Sequence, residues 1–127
     1  REMLPLCADQ GVGVLPWSPL ARGRLTRPFG ESSVRAESDE FGKGLYDEDD
    51  RSIVDAVGRI ADERGAERAQ VALAWVLRRS TVTAPIVGAT KPKHLTDALA
   101  ALEFELTDEE CAALESPYRP RPVAGFA

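Results

Sequence analysis

The sequence predicts an α/β protein whose strands are parallel and buried. Two short apolar runs, at residues 11–17 and 82–87, are bounded by turn residues, as is typical of strands covered on both faces. A stretch with helical character precedes each run, and helix followed closely by strand indicates an αβ repeat. Of the 127 residues, 43% are hydrophobic and 29% are charged, which is the balance of a soluble globular domain.

The first half of the chain begins with the end of a helix at residues 1–9, which a turn connects to the first strand at 11–17. Residues 18–47 then form a long connection rich in glycine, proline, serine and charge. Connections of this length within compact domains are usually functional or mobile. A disordered insertion is the alternative interpretation.

Helices are predicted over residues 48–80. The first runs from about Asp49 to Arg64 and is ended by Gly65, and the second, from about Arg68 to Arg79, is apolar on nearly every side and must pack on more than one face. The apolar face of the first helix comprises Ile53, Val57, Ile60 and Ala61, followed by Arg64. The acidic run at 47–50 suits the start of a helix dipole, with a metal cluster as the alternative.

After the second strand, helices are predicted over residues 92–116. Pro92 opens one helix, and Thr107 with Glu110 forms a capping box that opens the next. The residues predicted to be buried on these helices are Leu95, Ala98, Leu99 and Leu102, with Leu106 and Cys111 forming a hydrophobic staple. The proline-rich tail at 117–127 should be extended or looped.

Composition argues against several classes of function. The formal net charge of −5 and the scattered basic residues disfavour nucleic acid, and no apolar run reaches the ~20 residues of a membrane span. Cys7 and Cys111 are far apart and match free thiols of a cytoplasmic protein, and His94 is the single histidine, so no metal site is expected. The chain begins with arginine and not methionine, which suggests that a preceding segment is missing.

Two segments at the ends of the predicted strands could bind a ligand. In residues 17–23, small residues allow close approach of the backbone, the Ser18 hydroxyl can donate, and the Trp17 ring offers a face for stacking. Residues 88–92 lead directly into a helix N-terminus, which attracts anions, and Lys91, Lys93 and His94 add positive charge. The alternatives are an ordinary strand end and a plain turn with solvated lysines. No Ser/His/Asp order and no glycine-rich nucleotide motif is present.

Three motifs, at residues 11–23, 69–77 and 85–95, together resemble the aldo-keto reductase family in order and spacing. The first resembles the family's seventh strand with its exit loop, the second the helix before the eighth strand, and the third the eighth strand with the start of its helix. The resemblance covers essentially the whole chain. It implies the C-terminal part of a (β/α)8 TIM barrel, incomplete in this chain, in which residues 1–9 end the sixth helix.

The resemblance also implies a nicotinamide cofactor, NADP(H) more than NAD(H), and the residues that would hold it. Trp17 would stack on the nicotinamide, the loop at 18–47 would fold over the cofactor, and the tail at 117–127 can border the substrate pocket. The pyrophosphate would be lined by Ser18, Pro19, Leu20, Ala21 and Gly23. The adenosine ribose and its 2′-phosphate would be held by Gly88, Ala89, Thr90 and Lys91, with His94 beside them. The adenine end would be contacted by Asp97 and Ala98.

The family's catalytic residues lie near the ends of earlier strands, so the resemblance assigns no catalytic residue to this chain and predicts that these residues alone are inactive. The expected whole protein is an NADP-dependent oxidoreductase that transfers hydride to an aldehyde or ketone, with a small carbonyl compound as its partner. One alternative is a non-catalytic, nicotinamide-binding regulatory module. The other is a partial barrel that oligomerises through its open sheet edge.

Overall fold

The computed structural model describes residues 2–31, 39, 42 and 44–120, and this part of the chain is mainly helical. The five α-helices in it are α1 (Met3–Asp9), α2 (Arg51–Arg64), α3 (Arg68–Leu77), α4 (Pro92–Ala100) and α5 (Asp108–Glu115). Two 3-10 segments, Ala21–Thr26 and Glu48–Asp50, lie between α1 and α2. Residues 32–38, 40, 41 and 43 of the predicted loop at 18–47, and residues 121–127 of the predicted tail, lie outside the described residues.

The helix ends follow from local chemistry. Gly65 closes α2 in the left-handed conformation, with φ +59°, which costs glycine little because it has no Cβ. The predicted capping box of α5 is confirmed, because the Thr107 side chain accepts from the Glu110 N–H and the Glu110 carboxylate accepts from the Thr107 N–H. Pro92 opens α4, as its missing N–H allows.

The hydrophobic core lies where α2, α3 and α5 meet. Four consecutive residues of α3, 71–74, are buried, so this helix is covered around most of its circumference, as its uniformly apolar sequence predicted. The core cluster comprises Ala56, Val57, Ile60 and Ala61 of α2, Val71 and Ala74 of α3, and Leu106, Cys111 and Leu114 at α5. Cys111 is therefore a packing residue, and both it and Cys7 are free thiols.

Three arginines attach α5 and the residues before it to the other helices. Arg64 donates to both oxygens of Glu110, at 2.7 and 2.9 Å, and to the Glu105 carbonyl at 3.3 Å. Arg78 donates to the Leu106 carbonyl at 3.1 Å and to Cys111 Sγ at 2.8 Å. These bonds satisfy carbonyls just before α5 that no helix hydrogen bond would reach.

The third arginine, Arg79, pairs with Glu115 and stacks on the Trp75 ring, 4.5 Å from its centroid. The Trp75 indole N–H also donates to Glu115, at 3.0 Å, and together these bonds hold the pKa of Glu115 below its usual value. The pKa of Glu110 is lowered by its hydrogen bond from the Thr107 backbone and then by Arg64. The ionised form of each glutamate therefore stabilises the fold more than the protonated form does.

The two predicted strands, residues 11–17 and 82–87, are not regular strands in the described part of the chain. They form extended segments joined by two isolated parallel bridges, Val14 to Val82 and Trp17 to Ile86. The two bridges are three positions apart on the first segment and four positions apart on the second, so the register shifts by one residue. Pro16 and Pro85 lack N–H donors, which removes ladder hydrogen bonds and leaves the pairing discontinuous.

The prediction that one face of α4 is buried is wrong for most of the residues on that face. Leu95, Leu99 and Leu102 are 55%, 57% and 65% exposed, whereas Ala101 is 2% exposed. Periodicity identifies the apolar side of a helix but supplies no partner for it. Within the described residues, α4 makes its main helix contact with α3, which leaves its leucine side uncovered.

Candidate cofactor-binding site

The parallel bridges place the ends of the two extended segments at the same edge of the molecule. The Thr83 N–H donates to the Val14 carbonyl at 2.9 Å, and the Ile86 N–H donates to the Pro16 carbonyl at 2.9 Å. Because the segments run in the same direction, the chain leaves both at one end, through residues 17–23 and 88–91. Ligands of α/β proteins bind at this end of parallel strands. The two predicted binding segments are therefore neighbours.

The first exit loop has an unusual backbone. Ser18, Ala21 and Arg22 are left-handed, with φ of 50°, 48° and 56°, and Gly23 follows with φ 93°. The loop is tied by hydrogen bonds from the Ala21 N–H to the Ser18 carbonyl and from the Gly23 N–H to the Leu20 carbonyl, both 2.9 Å. Left-handed residues other than glycine cost about 1–3 kcal/mol each and concentrate at ligand sites. Such turns also direct successive N–H groups into an anion-binding concavity.

Arg22 connects this loop to a later part of the same connection. Its guanidinium pairs with Asp39, with Nη2 2.8 Å from Oδ1, and the Gly42 N–H donates to the same carboxylate at 3.0 Å. The hydrogen bond to Asp39 raises the pKa of Arg22 further. Arg22 also lies 6.0 Å from the centroid of the Trp17 ring. Sequence reasoning missed Arg22 and Asp39, since no periodicity relates two residues seventeen apart in an irregular loop.

The second exit is open and rich in small residues. Gly88, Ala89, Thr90 and Lys91 are exposed, and a Cβ on Gly88 would meet nothing within 4 Å. Lys91 is the extended N-cap residue of α4, so the chain turns directly into a helix N-terminus. His94 Nδ1 lies 3.4 Å from both the N–H and the hydroxyl of Thr90, which places the imidazole beside the turn.

The predicted residues on α4 differ in their surroundings. Asp97 is the more enclosed, with its side chain 14% exposed and 2.9 Å from Lys93 Nζ. Lys93 also pairs with Glu67 at the start of α3, at 2.9 Å, a contact that the sequence did not indicate. Ala98 is half-buried and offers no hydrogen-bonding group. Lys91 has no ion pair among the described residues.

The chemistry of these two exits fits a dinucleotide phosphate. The first supplies a turn with a strained backbone and a tryptophan that is 59% exposed, and the second supplies a helix N-terminus with an adjacent lysine and histidine. Among the described residues, no group of three histidine, cysteine, aspartate or glutamate side chains is arranged to hold a metal ion. No helix in the same residues is sufficiently long and apolar to cross a membrane.

Comparison with known proteins identifies the family. The model of the aldo/keto reductase family matches residues 1–119, so the chain belongs to the aldo-keto reductases, a family of (β/α)8 barrels. The suspected resemblance is thereby confirmed.

Similar proteins include the versiconal hemiacetal acetate reductase of Aspergillus parasiticus, 40% identical over 97% of this chain and 37% of that protein. An aldo-keto reductase of Fusarium vanettenii is 45% identical over 100% of this chain and 35% of its own length. Among solved structures, the thermostable aldo-keto reductase Tm1743, crystallised with the inhibitor epalrestat, matches with a TM-score of 0.63 and 27% identity, over 91% of this chain and 33% of that one. The chain thus spans about a third of the length of these relatives.

Proposed function

We propose that this chain is the cofactor-binding C-terminal part of an NADP-dependent aldo-keto reductase that reduces an aldehyde or ketone. The two extended segments would be the last two strands of the barrel, and the rest of the barrel would supply the groups that transfer a proton. We also place the protein in the cytoplasm, in keeping with its two free thiols.

The observation that carries this proposal is the pairing of the two exits. Residues 17–23 and 88–91 are more than sixty positions apart in sequence, and the bridges Val14 to Val82 and Trp17 to Ile86 bring their segments side by side. Each exit alone is a weak signal, since strand ends and helix starts are common. Together they form one surface with an exposed ring at one exit and anion-binding groups at the other.

In this arrangement each exit has a separate task. Trp17 would present its exposed face to the nicotinamide. The turn at 18–23 would bind the pyrophosphate through the N–H groups that its own hydrogen bonds, from Ala21 and Gly23, do not use. Gly88 and Ala89 would allow close approach of the ribose, while Lys91 and the start of α4 would bind the 2′-phosphate. The bound cofactor supplies the hydride that reduces the carbonyl group. Asp97 and Ala98 would border the adenine.

Calorimetric titration of the protein with NADPH and NADH tests this proposal. We expect tighter binding of NADPH, and K91M should weaken NADPH by about tenfold or more while leaving NADH nearly unchanged, because a charge-assisted hydrogen bond contributes about 1.5–3 kcal/mol. R59M removes an exposed positive charge from the middle of α2 and serves as the matched control. Equal binding of both cofactors, or an equal loss on both in K91M, would contradict the assignment.

Activity is the second part of the test. The 127 residues alone should reduce no aldehyde, because none of them is assigned to proton transfer. A longer protein that contains them should reduce an aldehyde with NADPH. Turnover by the 127 residues alone would refute the division of roles between the two parts of the barrel.

Association through an uncovered surface is a second candidate role, and exposed apolar residues favour it. Val12, Leu15 and Ile86 on the extended segments are 54%, 59% and 56% exposed, and the leucines of α4 are similarly open. Surfaces of this kind usually meet a partner. Light scattering distinguishes the possibilities, since a dilution-independent monomer of the 127 residues would exclude association through this surface.

A further inference from the structure

The ammonium group of Lys93 makes contacts unlike those of the neighbouring Lys91. Lys93 Nζ lies 2.9 Å from Glu67 Oε1, 2.9 Å from Asp97 Oδ1 and 3.0 Å from Asp97 Oδ2. An ammonium has three N–H donors, and these three oxygens occupy all of them. The pKa of Lys93 is raised by the same two carboxylates, so the group is firmly protonated.

The local charge also argues against a phosphate beside Lys93. One ammonium faces two carboxylates, so the cluster of Lys93, Glu67 and Asp97 carries a net negative charge. A phosphate would have to displace one of these carboxylates and would be repelled by the other. Lys91, two residues earlier, has no ion pair in the described part of the chain. The two lysines therefore cannot have the same task, although the sequence places both at the start of α4.

The cluster joins two helices and holds one predicted site residue in place. Glu67 is the N-cap residue of α3, whereas Lys93 and Asp97 stand one turn apart on α4. The Asp97 side chain is only 14% exposed, against 57% for Glu67 and 60% for Lys93, so Asp97 is the member with a fixed orientation. A lysine in the first turn of a helix opposes the helix dipole, and the carboxylates offset this cost.

We infer that Lys93 is a positioning residue, which fixes the Asp97 carboxylate at the adenine end of the site and does not bind phosphate itself. The inference rests on the proposed function, because it assigns parts within the same cofactor site. It divides the positive charge at the start of α4 into two roles. Lys91 distinguishes NADPH from NADH, and Lys93 supports the adenosine moiety that both cofactors share.

The test measures the affinities of NADPH and NADH for the protein by calorimetry, with K93M and K91M as a matched pair. K93M should weaken both cofactors by about threefold, so that their ratio changes by less than about twofold, whereas K91M should lower the ratio by about tenfold or more. The double variant K93M/D97N should bind no more weakly than D97N, because Lys93 acts through Asp97. K93R should recover most of the lost affinity.

Three results would contradict this role of Lys93. A selective loss of NADPH in K93M would make Lys93 a phosphate ligand, and unchanged affinities for both cofactors would leave the cluster with a structural role alone. Additive losses in K93M/D97N would also overturn the inference. Far-UV circular dichroism checks that each variant keeps its helices, and K93Q replaces K93M if that variant does not. If the unmodified protein bound neither cofactor, the proposed function itself would fail.

Discussion

The contact between Gly58 and Arg68 gives the sharpest prediction about stability. Gly58 is buried on α2, and a Cβ there would lie 2.5 Å from Nη1 of Arg68 and nearer still to Nη2 and Cζ of the same guanidinium. Nη1 donates to the Val54 carbonyl at 3.0 Å, which ties the start of α3 to the first turn of α2. G58A must therefore displace the guanidinium and break this hydrogen bond.

The expected magnitude follows from two opposing effects. Alanine in place of glycine inside a helix stabilises it by about 1 kcal/mol. Loss of the charged hydrogen bond costs about 2 kcal/mol, so that G58A should destabilise the protein by about 1 kcal/mol. When Arg68 is already absent the second effect disappears, and G58A in the R68A background should stabilise by about 1 kcal/mol. The coupling between the two positions is then about 2 kcal/mol.

Urea unfolding followed by far-UV circular dichroism measures these four variants as a double-mutant cycle. G65A is the control, because the Gly65 backbone is left-handed and a Cβ there would contact nothing. It should cost about 1–2 kcal/mol in both backgrounds. A G58A substitution that stabilises the unmodified protein, or that has the same effect with and without Arg68, would refute the steric argument.

The remaining predictions concern α5 and pH. Because Glu110 and Glu115 have pKa values lowered in the folded state, their contribution is complete above the ordinary glutamate range and is lost as pH falls through the lowered values. The urea midpoint should therefore drop on acidification below about pH 4.5, and E110Q/E115Q should make the midpoint depend less on pH. A variant whose midpoint falls with pH as steeply as that of the unmodified protein would contradict this prediction. T107A removes the side-chain cap of α5 and should lower the free energy of unfolding by about 1 kcal/mol. S116A, just beyond the end of the same helix, is the control. Equal urea midpoints for T107A and S116A would exclude a stabilising role for the cap.

The sequence was sufficient to predict features that depend on groups only a few residues away along the chain. The left-handed end of α2 at Gly65, the capping box of Thr107 and Glu110, and the proline at the start of α4 depend only on nearby backbone groups. The three motifs also pointed to the correct family, because their order along the chain is itself a sequence property. The uniformly apolar sequence of α3 correctly indicated that this helix is covered around most of its surface.

Tertiary structure decided every feature that depends on distant partners. The leucines of α4 form an apolar side in the sequence, yet their exposure depends on which element is present to cover them. The same applies to Arg22 with Asp39 and to Lys93 with Glu67, since these pairs are created by chain folding and leave no periodic signal. The local charge pattern grouped Lys91 with Lys93 at one helix start, and only the family resemblance assigned Lys91 to the 2′-phosphate. That Lys93 instead pairs with Glu67, at the start of another helix, is determined only by the folded chain.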